Sequence, residues 1–199
     1  MDIIDNIKTI YANRQIRSEA KNVSRQKIVC NIDDATTIGI VFPFTGKEDF
    51  ELLKKYVLYL RELKKKVKAI GYYKTKEEPD IPYSKVDYDF FPKKSHNWYG
   101  KPTDHIVTNF VGEEFDIMID INPDNDSVIT YIAAMSKAKF KVGRFDETDY
   151  IHDLMFESPK EKGLKFFLRQ VDTYLAMINK PAVAAITGSD PRKGDLMTG

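Results

Sequence analysis

The chain has 199 residues, 42% apolar, 31% charged and 12% aromatic, a balance that excludes wholesale disorder and allows one well-buried domain with appendages. Cys30 is the single cysteine, which excludes an intramolecular disulfide, and no run approaches the ~18 apolar residues of a membrane helix. The start MDIIDNIKTIY carries acids where a secretory signal needs basic residues, so the cytoplasm is the expected location.

The net charge of +1 is unevenly spread. Over residues 13–28, Arg14, Arg17, Lys21, Arg25 and Lys27 face Glu19 alone, whereas residues 104–157 hold twelve acids against four Lys or Arg. Such asymmetry favours an anionic partner at the N-terminal end.

The first element is a helix. Ile3, Ile4, Ile7, Ile10 and Tyr11 are spaced for one face, and the line continues through Arg14, Arg17, Lys21 and Arg25. A second line, Ile16, Ala20 and Val23, offers an alternative packing face. Residues 1–32 are therefore assigned to a basic N-terminal arm, 33–180 to a single domain and 181–199 to a loose tail rich in small and polar residues.

The domain opens on Ile38-Gly39-Ile40-Val41-Phe42, an apolar run suited to a strand buried on both faces. Thr45 and Glu48 have capping-box spacing before a helix carrying Phe50, Leu53, Val57 and Leu60, closed by Lys64–Lys66 near its negative end. Strands follow at Val67–Tyr73 and Val86–Phe91, then an aromatic loop containing His96, Trp98 and Tyr99. The remainder reads as helix His105–Gly112, strand Phe115–Ile121, helix Ser127–Ala138, strand Phe140–Phe145, short strand Leu154–Phe156 and a last helix opening at Ser158-Pro159.

Strands alternating with helices predict a doubly wound, mainly parallel, Rossmann-like α/β sheet of about six strands in the order 3-2-1-4-5-6. No GxGxxG or P-loop is present, and Gly46-Lys47 lacks the upstream glycine, so no cofactor is implied. No GxSxG occurs, and the acids around His152 (Asp146, Glu147, Asp149, Asp153) show no metal-binding spacing, so neither a catalytic set nor a metal site is expected. Ligands of such sheets lie beyond the carboxyl ends of the strands, which places Thr45, Asn122, Asn125 and Ser127 as candidate ligand-binding residues.

Several segments together, TTIGIVFPFT, HNWYGKP, the run FDIMIDINPDNDSVITYIAAMSKAKFKVGR and FLRQVDTYLAMIN, resemble a family of small Bacteroidota-type cytoplasmic proteins built on a domain of unknown function. Residues 115–145 are also similar to one half of the heptosyltransferase-like glycosyltransferases, with Val142-Gly143 at the end of a short strand. That similarity implies a nucleotide-sugar site between two such domains, of which this chain has length for one.

Two functions stay open on these residues, and the charge asymmetry together with the failure of every catalytic motif favours the first, with the second as the alternative. One is a non-catalytic binding protein that engages RNA, a ribonucleoprotein or a protein partner through Arg14, Arg17, Lys21 and Arg25 on the basic helix. The other is a nucleotide- or sugar-phosphate-binding protein using the strand ends at Thr45 and Asn122–Ser127.

Overall fold

The computed structural model describes residues 3–75, 77–81, 83–84, 86–93, 97–99, 101–147 and 151–178, with the side chains of 3–9 outside the description. The tail beyond 180, Ser95, His96 and Gly100 of the aromatic loop, and Asp149 also lie outside the described residues.

Six strands form one all-parallel sheet: β1 (Thr37–Pro43), β2 (Lys66–Tyr73), β3 (Tyr88–Pro92), β4 (Ile117–Asp120), β5 (Phe140–Arg144) and β6 (Leu154–Phe156). Their order is β3-β2-β1-β4-β5-β6, as the strand–helix alternation predicts. The sheet is covered by α1 (Ile3–Ala20), α2 (Lys47–Glu62), α3 (His105–Gly112), α4 (Ser127–Met135) and α5 (Gly163–Met177).

Side-chain alternation divides the core between two faces. Ile38, Ile40, Phe42, Ile117 and Ile119 pack with α2 and α5 through Phe50, Leu53, Phe167 and Val171. Val41, Ile70, Tyr72 and Met118 point the other way, toward Ile16 of α1, Val107 and Phe110 of α3, and Ile129 and Ile132 of α4. Glycines admit large neighbours where the layers are tightest. A Cβ on Gly39 would stand 2.6 Å from the Phe115 ring, and one on Gly143 would stand 2.5 Å from His152 Nε2.

Helix ends correct two local expectations. The N-cap of α2 is Gly46 at φ 156°, and no side chain caps that terminus; the Thr45 hydroxyl donates instead to Asp49 at 2.6 Å. A capping serine or threonine must place its oxygen over the N2 or N3 amide, and Thr45 lies one residue too early to do so. Pro159 opens only a short 3-10 turn, Lys160–Lys162, and α5 begins at Gly163, whose φ of 71° suits a residue without Cβ. The lysines after α2 act as ties as well as terminal charges: Lys65 donates to the carbonyls of Asp33 and Ala35, both at 2.7 Å.

Candidate functional site

At the carboxyl ends of β1 and β4, where the strand order changes direction, a cavity of about 370 Å³ opens on the α2/α5 face. Open α/β sheets leave their crevice at this switch point, because the chain departs to opposite faces from the two adjacent strands. Phe42, Phe44, Phe50 and Leu164 give the cavity apolar walls. Thr45, Asp49, Asp124, Arg144 and Lys160 supply its polar groups.

Arg144, the last residue of β5, is the distinctive member. Its guanidinium stands 4.7 Å from the centroid of Phe167, and Nη1 donates to the Ser158 carbonyl. Its Nε is buried and has no hydrogen-bond partner among the described residues. Burial pulls the Arg144 pKa below its ordinary value, opposed by Asp120 and Asp124, and arginine remains cationic at neutral pH. Lys160 forms an ion pair with Asp124 across the cavity mouth. The first-turn amides of α2 have no side-chain cap, and they add a positive end to the same region.

Of the four sequence-predicted ligand residues, only Thr45 lines this cavity. Ile117, Ile119 and Ile121 point to the cavity face, so parity turns Asn122 to the opposite one. There Asn122 braces a turn: it accepts from the Asp126 amide at 2.8 Å and donates to the Asp126 carbonyl and Thr130 hydroxyl, both at 3.2 Å. Asn125 holds the left-handed position of that turn at φ 51° and donates to Asp146 at 3.2 Å. Asp126 caps α4 by accepting from Val128, and it also pairs with Lys74 at 2.7 Å; Ser127 is simply the first helical residue. This trio holds the α4 turn.

The basic arm is similarly redistributed. Ala12 and Ile16 are buried, so α1 packs along its second apolar line, while Ile10 is 66% and Tyr11 58% exposed. Arg14, Arg17 and Lys21 are exposed, but the helix stops at Ala20, where the Asn22 and Val23 amides close turns on Glu19 and Ala20. Arg25 therefore lies beyond the helix. Its side chain is 8% exposed and grips Asp153 with two bonds of 2.8 and 2.7 Å, and it donates to the carbonyls of Ala138 and Lys139. It is a structural anchor rather than part of a basic stripe.

Glu19, an apparent surface acid in the sequence, gathers three elements. It accepts from Tyr99 at 2.8 Å, Tyr131 at 3.1 Å, Lys101 at 3.1 Å and Gln15 at 3.3 Å. Burial raises its pKa, but these donors outweigh burial and leave it below the usual range. Tyr99 thus folds back onto the protein, while Trp98 stands 67% exposed. His152 meets Asp120 at 3.1 Å, both side chains being under a tenth exposed. Among the described residues no group of three His, Cys, Asp or Glu could hold a metal, and no helix is long and apolar enough to cross a membrane.

Comparison with known proteins finds no matching curated protein and no matching solved structure. A match with a protein family runs over residues 8–178, from within α1 through the strand-end cavity to the residue after α5. The chain accordingly belongs to the family of unknown function DUF6913.

Proposed function

We propose that the protein binds a phosphorylated small molecule, a nucleotide or sugar phosphate, in the strand-end cavity. The observation that carries this reading is Arg144, a half-buried cation in the wall of a cavity at the switch point, whose Nε has no hydrogen-bond partner among the described residues. The guanidinium is cationic at neutral pH, and a phosphate reaching it from the cavity would supply the counter-charge. On this reading, the resemblance seen in the sequence of residues 115–145 to one half of heptosyltransferase-like glycosyltransferases would point to the same class of ligand.

A panel of nucleotides and sugar phosphates is expected to raise the melting temperature, by roughly RT ln(1 + [L]/Kd) in free energy. Arg144→Gln is expected to remove the shift while Asn122→Ala, which alters the opposite face, retains it. A flat response to every phosphorylated compound would reject the site.

Polyanion binding by α1 is a second reading, supported by the exposure of Arg14, Arg17 and Lys21 together with Trp98. The partner would be RNA or a ribonucleoprotein, with Trp98 supplying a stacking surface. With Arg25 engaged elsewhere, contact of all three exposed cations with a polyanion would give a log–log salt slope of about −2 for single strands and near −3 for a duplex. Changing all three to Gln should abolish RNA affinity and its salt dependence. An unchanged slope would assign these residues to solvent.

A further inference from the structure

We infer that the cavity takes a nucleoside monophosphate, in an orientation fixed by three chemically distinct parts of its wall; this rests on the reading above that the cavity binds a phosphorylated compound. The first part is cationic. Arg144 and Lys160 lie on the β5 and α5 side of the cavity and can meet a phosphate, Lys160 by exchanging Asp124 for the ligand.

The second part is acidic, and it narrows the ligand class. Asp49 lines the same cavity in the first turn of α2. Its Oδ2 accepts from Thr45 at 2.6 Å, and its Oδ1 receives no hydrogen bond from any described residue. A carboxylate in an anion site repels a bare phosphate or an alkyl phosphate, because like charges in a desolvated pocket raise each other's energy. It suits a ligand that brings hydroxyl donors together with its anion. Ribose does this, and its hydroxyls would use the free Asp49 oxygen.

The third part is aromatic. Phe42, Phe44 and Phe50 line one side, with Phe44 half-buried and its ring held 6.2 Å from Phe50 and 6.1 Å from Phe90. A sugar phosphate would satisfy Arg144 and Asp49 and leave this wall wet. An aryl phosphate would cover the wall and leave Asp49 without a donor. A planar base joined through ribose to one phosphate meets all three. The volume, about 370 Å³, lies at the low end of the ~300–1,000 Å³ typical of ligand pockets and fits one mononucleotide rather than a dinucleotide.

The test is calorimetric titration of the full chain with AMP, GMP, CMP and UMP, alongside adenosine, ribose 5-phosphate and inorganic phosphate. The tightest mononucleotide is expected to bind at least tenfold better than ribose 5-phosphate, which in turn exceeds phosphate. Asp49→Asn should weaken mononucleotides and ribose 5-phosphate about tenfold and leave phosphate unchanged or tighter; Arg144→Gln should weaken every phosphorylated probe. Melting curves of both variants establish that they are folded. Ribose 5-phosphate binding as well as any mononucleotide would overturn the base subsite and leave the phosphorylated-ligand reading standing. Adenosine binding as well as AMP would overturn the phosphate subsite. Failure of all nucleotides and sugar phosphates to bind would sink both readings.

Discussion

Arg25→Ala is expected to cost about 3–5 kcal/mol of folding stability, the range for removing one partner of a buried ion pair. Arg25 and Asp153 are 8% and 14% exposed at their side chains, so water compensates little for the loss. The Asp153 carboxylate also accepts from the Lys141 amide at 3.0 Å, and it would be left with that bond and a long 3.5 Å contact to Lys27. The Ala138 carbonyl would lose its donor as well, and the Lys139 carbonyl would keep only the Ile28 amide at 3.1 Å. Arg25→Lys should recover only part of the loss, because an ammonium cannot reproduce the two-pronged grip of a guanidinium. Urea denaturation measures both variants. A loss below about 1 kcal/mol would place the pair with ordinary surface ion pairs.

Stability is also expected to rise as pH increases from 7 toward 10, and Lys141 is the cause. Its ammonium is buried in β5, where Nζ donates to the α4 carbonyls of Ala133 at 2.7 Å and Ala134 at 3.1 Å. Burial, reinforced by the Arg25 charge and opposed by Asp153, brings its pKa from 10.5 down to about 7. Between those values the unfolded chain holds a proton that the folded chain has released, so stability increases with pH by up to ~1.4 kcal/mol per unit. Tyr56, Tyr88 and Tyr131 act in the opposite sense above pH 10, since burial raises their hydroxyls above 10.0 and the unfolded chain ionises first. A maximum between pH 9 and 10 follows. Lys141→Met should flatten the ascending limb in urea titrations across pH 7–9.5. An equally steep limb in that variant would remove Lys141 as its source.

The sheet was legible because its signals are local: the IGIVF run of β1, alternation with helical periodicity, and a chain direction that handed crossovers convert into strand order. The position of the crevice followed from that order. Its chemistry did not. Asn122 looks like a strand-end ligand in one dimension, yet a single step of parity sends it to the wrong face, and Ile121 rather than Asn122 meets the cavity. Arg144 and Lys160 come from segments far from Thr45, and no periodicity joins them. Arg25 continues the spacing of Arg14, Arg17 and Lys21, and no Gly or Pro marks the helix end at Ala20. Only the tertiary partner Asp153 reveals that it is an anchor. The Thr45–Glu48 spacing likewise matched a capping box that the extended backbone of Gly46 overrides.

The position of β1 has a consequence for how the chain is made. Thr37 at one end of β1 is bonded to Asp116 before β4, 79 residues later, and Ile38 pairs with Ile117. A nascent chain that has emerged only as far as α3 can assemble β1, α2, β2 and β3, since those pairings are already available. Its central strand then has one bare edge of unpaired amides and carbonyls along Ile38–Val41, one of the most apolar stretches in the protein. Such an edge is a template for pairing with another chain. Synthesis at ~5–20 residues per second sets the duration of that exposure, and it ends only when β4 leaves the ribosome. The same strand that fixes the finished crevice is therefore the point at which an unfinished molecule is most open to misassembly.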